Sequence, residues 1–158
     1  MYVAHPYTPR ERPFTLEGAP VVIGDAVTLA WVDNWWDGPL GGVCEWQGRR
    51  VWFQYYFDPD IDDPNLAESD PLLMKLACTN PPRRVLLLHE LNESQLQEEE
   101  KWQKRFVEHV GGHWDFTLPK DAPRTPRSGS MSDFYEPYQR EHPTLDLRQT
   151  RVVAVWIR

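Results

Sequence analysis

Two short runs of this chain have no polar side. Arg83-Arg84-Val85-Leu86-Leu87-Leu88-His89 is apolar at consecutive positions, and so is Val152-Val153-Ala154-Val155-Trp156-Ile157 between Arg151 and Arg158. Each is too short for a lone helix, and the second is rich in β-branched residues. Both read as strands buried on two faces. Such strands are central to a sheet, and a central sheet must be covered on both sides.

A hairpin over residues 41–57 supplies neighbours. Gln47-Gly48 separates two strand-like runs, and glycine there permits the positive φ of a tight hairpin turn. A two-residue loop sets Trp46 against Arg49, Glu45 against Arg50, Cys44 against Val51 and Val43 against Trp52. Opposite charges then meet, and a guanidinium lies by an indole. One face would carry Cys44, Trp46, Val51, Phe53, Tyr55 and Phe57 as core. The other would carry Val43, Glu45, Arg50, Trp52, Gln54 and Tyr56, a mixed face expected to be partly open. Residues 21–32 also read as strand, with a turn at Gly24-Asp25 and Val27, Leu29 and Trp31 on one side.

One helix is plain. Asn92 suits an N-cap, Gln95 completes a capping-box pair, and Leu91 can staple to Leu96. Leu96, Trp102, Phe106, Val107 and Val110 share one side of the wheel, and Gly111-Gly112 ends it. The expected fold is α+β: a twisted, mainly antiparallel sheet of about five or six strands, with the 93–110 helix packed on one face.

A chain of 158 residues suits one domain, read here as 1–158. Residues 1–19 hold Pro6, Pro9 and Pro13, lead into Pro20, and read as an extended arm. Residues 117–150 hold Pro119, Pro123, Pro126, Pro137 and Pro143 with Ser128-Gly129-Ser130, and read as an irregular excursion. The apolar stretches are too short and too interrupted to cross a membrane. The N-terminus lacks the apolar run of a signal peptide, so a cytoplasmic protein with reduced thiols is expected.

The net charge is −7, and its placement matters more than its size. Residues 58–70 hold Asp58, Asp60, Asp62, Asp63, Glu68 and Asp70 with no base; the remainder carries 18 acids and 17 bases, a net of −1. A chain without a basic stripe is not built to neutralise phosphates, so no nucleic acid is expected as partner. A concentrated acidic loop suits a basic protein or a divalent cation, and its plain alternative is a solvated loop. Asp58-x-Asp60-x-Asp62 begins like a calcium loop, but Asp63 replaces the turn glycine and Ser69 the final glutamate. No metal and no cofactor are expected.

Residues 31–42 crowd two acids, an amide and three indoles around Gly38-Pro39. The run Trp36-Asp37-Gly38-Pro39-Leu40-x-Gly42, followed by Gln47-Gly48-Arg49 and an aromatic strand, resembles a motif in uncharacterised bacterial proteins with no assigned activity. The resemblance covers about a sixth of the chain and departs at Gly41, where serine is expected. Asp37 can build the turn by bonding nearby backbone N–H groups. The rival use is a ligand site with Trp35 or Trp36 as a stacking platform and Asp33 or Asp37 as acceptors.

Other chemistry is thin. His109 and His113 are spaced like zinc ligands, but Gly111-Gly112 lies between them and no glutamate follows His109. Cys44 or Cys78 with His89 offers a thiol pair, although both cysteines sit in apolar surroundings. No phosphate loop, serine elbow or dinucleotide fingerprint is present. No catalytic residue is assigned.

Three readings of function follow. The first is a non-enzymatic protein-binding domain, of inhibitor or immunity type, that takes a basic partner through Asp58, Asp60, Asp62 and Asp63 beside Tyr56. The second is a small-molecule binder using Asp33, Trp35, Trp36, Asp37 and Trp52. The third is a hydrolase-like enzyme whose acids, among them Asp33, Asp37 and Glu45, meet in a cleft.

Overall fold

Alternation, turn chemistry and apolar runs assemble into one six-stranded sheet. The structure, a computed structural model, describes residues 18–35, 39–59, 62, 63, 65, 70–77, 79, 81–110, 131–142, 145, 147 and 150–158. The strands are β1 (Val21–Ile23), β2 (Thr28–Trp35), β3 (Pro39–Trp46), β4 (Arg49–Phe57), β5 (Val85–Glu90) and β6 (Val152–Ile157). The helices are α1 (Pro71–Ala77), α2 (Glu93–Val110) and α3 (Met131–Glu141). Spatial order is β1-β6-β5-β4-β3-β2, with β1 parallel to β6 and every other pair antiparallel. The fold is α+β.

Both strands without a polar side lie inside the sheet. β5 runs between β4 and β6, and Val85, Leu86, Leu87 and Leu88 are fully buried. On one face, register aligns Cys44, Val51, Phe53, Leu88, Ala154 and Trp156, with Phe53 edge-on to Trp156 at 5.7 Å. On the other it aligns Val43, Trp52, Gln54, Leu87, His89 and Val155.

The β3–β4 hairpin has the expected register. Trp46 faces Arg49, Glu45 faces Arg50, Cys44 faces Val51 and Val43 faces Trp52. Gln47 and Gly48 have φ of 50° and 73°, the pair of positive values that a twist-matched two-residue turn needs. The Arg49 guanidinium lies 5.4 Å from the Trp46 ring centre.

Several expectations need correction. The second hairpin face is closed rather than partly open: Val43, Trp52, Gln54 and Tyr56 are all buried, and only Glu45 and Arg50 near the tip reach solvent. Most of residues 31–42, read as a loop, is strand; β2 runs to Trp35 and β3 starts at Pro39, where a strand's first residue tolerates proline. The β2 alternation also fails. A register shift after Leu29 pairs Leu29 with Cys44 but Trp31 with Val43, so these two fall on opposite faces, and Trp31 and Val32 are both buried. Within 117–150, read as irregular, Met131–Glu141 is helical although Pro137 sits inside it.

Within the span read as one domain, two compact units separate. The first holds residues 1–91 and 146–158 and contains the sheet; the second holds residues 92–145 and contains α2 and α3. In the second unit, α2 begins with a reciprocal capping box. Gln95 N donates to Asn92 Oδ1 at 2.8 Å, and Asn92 N donates to Gln95 Oε1 at 2.9 Å. Trp102 and Phe106 are buried while Lys101 and Lys104 are exposed; Leu96 and Glu98 are intermediate. No described helix is long and apolar enough to cross a membrane.

Candidate functional site

The acidic loop leaves the sheet at the end of β4, and its acids divide by role. Phe57 pairs with Val85 in the β4–β5 ladder, so the next step places Asp58 beside Arg84. Asp58 is 1% exposed, and its carboxylate accepts from Arg84 Nε in an ion pair shielded from water. A buried carboxylate without a cation would be costly, so this pair fixes where the loop starts. Asp58 is thereby corrected from a partner-binding acid to an internal one. Tyr56, 5% exposed, is likewise withdrawn from the surface, because the closed second hairpin face buries it.

The next acids shape the backbone. Asp58 N donates to Asp62 Oδ2 at 2.8 Å, and Asp62 N donates to the Asp58 carbonyl at the same distance. This reciprocal pair ties Asp58 to Asp62, the two ends of a five-residue span. Asp63 Oδ1 accepts from Asn65 N at 3.0 Å, a local side-chain turn of the kind aspartate favours. Asp70 Oδ1 accepts from Leu73 N at 3.1 Å and caps α1, with Met74 N on the Asp70 carbonyl at 3.0 Å. Asp63 nevertheless stays exposed and Asp62 half-buried, so negative charge still reaches solvent there. Asp60 and Glu68 lie outside the described residues.

The residues of the small-molecule reading do not form one described group. Asp33 and Trp35 fall on β2, while Trp36 and Asp37 lie outside the described residues. Trp52 is 3% exposed, and its indole N–H donates to Gln54 Oε1 at 3.2 Å. Gln54 Nε2 in turn donates to the Leu40 carbonyl at 3.4 Å. Trp52 thus belongs to a buried polar chain and is not an open stacking platform. Glu45, named with Asp33 and Asp37 in the enzymatic reading, is exposed at the hairpin tip.

Thiol chemistry has no support at Cys44. The thiol is fully buried and pushed up to about 12, first by burial and then by the Glu45 charge. It stays protonated and inert at neutral pH. Cys78 and His113 lie outside the described residues, as does the His109 side chain. Among the described residues, no three His, Cys, Asp or Glu side chains gather as metal ligands would.

Sequence reasoning missed two buried polar sites. His89, fully buried opposite Trp52 on β5, has its Nδ1 2.8 Å from Thr150 Oγ1. The Thr150 hydroxyl donates to the Leu147 carbonyl at 2.8 Å, which leaves its oxygen to accept from Nδ1–H. Burial pulls His89 down to about 4, so the ring is neutral at pH 7. In the helical unit, Glu99 is 2% exposed and bonds His142. The helical wheel carried that signal, since Glu99 lies three residues before Trp102 and seven before Phe106 on the buried side.

The chain matches no protein-family model, no curated protein and no solved structure.

Proposed function

We propose that this chain is a non-enzymatic protein-binding domain, of inhibitor type, that takes a basic partner on the exposed acids of the 58–70 loop. One observation carries the reading. The Asp58 carboxylate is committed to Arg84 and the Asp62 carboxylate to the Asp58 N–H, while Asp63, which holds only the Asn65 N–H through Oδ1, stays exposed. An acid already held in a local turn, as Asp63 is by the Asn65 N–H, loses less conformational entropy on association. Clustered like charges also steer an oppositely charged partner and are relieved by it.

The test uses the isosteric Asp→Asn change at Asp60, Asp62 and Asp63. Asparagine keeps an acceptor oxygen for the turn hydrogen bonds and removes only charge. With a partner isolated by affinity capture, association rates are measured over a range of ionic strength. Wild type should slow steeply as salt rises, and the triple variant should associate more slowly with a flatter dependence. An unchanged association rate in the triple variant contradicts docking at this loop.

A further inference from the structure

The two helices of the 92–145 unit meet through a seam with polar groups at its centre. Glu99 of α2 is 2% exposed and bonds the imidazole of His142, which lies one residue past α3. Tyr138 of α3 lies against His142 with ring centres 4.4 Å apart, and meets Trp102 of α2 edge-on at 5.2 Å. At the rim, Arg105 and Glu141 approach to 3.8 Å with both side chains about half-exposed. Such a rim pair is screened by water and holds little. Arg105 also lies over the Trp102 ring at 4.7 Å. Among the described side chains, the contacts from α2 to α3 fall at its C-terminal end, at Tyr138, Glu141 and the following His142.

The helix they hold is weak by construction. Pro137 stands inside α3, has no N–H to give the carbonyl four residues back, and crowds that turn. Leucines in the places of Glu99 and His142 would resist separation, because each would expose apolar surface. A carboxylate and an imidazole instead regain strong hydration when they part. A seam of this kind narrows the free-energy gap between closed and open forms.

We propose that α3 is a latch: it opens from α2 as a unit, with the Glu99–His142 contact as its catch, while the sheet stays folded. Opening parts Tyr138 from Trp102 and His142 from Glu99. The device belongs to the helical unit alone and does not depend on what binds the acidic loop.

Hydrogen exchange on the full chain, followed peptide by peptide under native conditions, tests it. In wild type, α3 amides should exchange through an opening that β4 and β5 amides do not share. His142→Ala leaves Glu99 without its catch and should speed α3 exchange by roughly a hundredfold, with β4 and β5 unchanged within about twofold. Glu99→Gln keeps an acceptor and should give a smaller acceleration in the same peptides. Pro137→Ala, which restores a helical N–H, should slow α3 exchange by roughly tenfold. A common exchange rate for α3, β4 and β5 in wild type would overturn the latch. So would a His142→Ala variant in which all three speed up equally or none does.

Discussion

The β3–β4 hairpin and the acidic loop that follows it are neighbours in the chain and are held by opposite means. The hairpin is collective: six consecutive cross-strand pairs, a turn with two positive φ values, and seven buried residues in a row from Val51 to Phe57. No single pair determines it. The loop is singular. Among its described residues, the contacts that stand out are individual: the Asp58–Arg84 ion pair at its entry and the backbone N–H groups held by Asp62, Asp63 and Asp70. A collective element tolerates surface change and fails only where its backbone is blocked. A singular one fails when one charge is removed.

The largest expected effect lies at Gly42 in the hairpin. Its φ is +148°, and an added Cβ would sit 2.1 Å from the Trp31 carbonyl oxygen across the β2–β3 ladder. Gly42→Ala should therefore cost more than about 4 kcal/mol or abolish folding, read by urea denaturation and expression yield. A loss below about 1 kcal/mol would show that β2 does not approach β3 so closely.

Acid separates the two regions next. His89, opposite Trp52 on the hairpin's inner face, is pulled down to about 4 from the ordinary 6.5. Between those values the unfolded chain binds a proton that the folded chain refuses, so stability falls as pH drops. The contribution is complete above about pH 6.5 and is lost by about pH 4, a total of about 3 kcal/mol. His89→Asn keeps a donor for Thr150 and should flatten that part of the pH–stability curve. A curve unchanged by the substitution would show that His89 does not set the acid sensitivity.

The smallest effect belongs at the hairpin tip. Glu45 is exposed opposite Arg50, and Glu45→Ala should shift stability by less than about 0.5 kcal/mol in the same denaturation assay. A loss above about 1.5 kcal/mol would make the hairpin depend on single contacts, as the loop does.

Legibility in the sequence follows the same division. Alternation is shared by many residues, so the Gln47-Gly48 turn and the register from Trp46–Arg49 to Val43–Trp52 could be read directly. The α2 cap was equally local, since Asn92 and Gln95 satisfy each other within one turn. A cluster of acids says nothing about which one turns inward. Asp58 was assigned to the surface because Arg84 is 26 residues away, and the pairing emerges only once β4 is set against β5. The bulges of β2 were hidden because a register shift leaves no mark in apolar alternation. In α3, Pro137 outweighed the spacing of Met131, Phe134, Tyr135 and Tyr138, which is that of an amphipathic helix.

The loop's acids are divided, Asp58 working inside and Asp63 facing out. Paired denaturation of Asp58→Asn and Asp63→Asn in the full chain tests this most directly. Asp58→Asn leaves Arg84 shielded from water beside a neutral amide and should lower the unfolding free energy by about 3 kcal/mol. Asp63→Asn keeps its acceptor for Asn65 N and should lower it by less than about 0.5 kcal/mol. Equal, small losses in both variants would contradict the division.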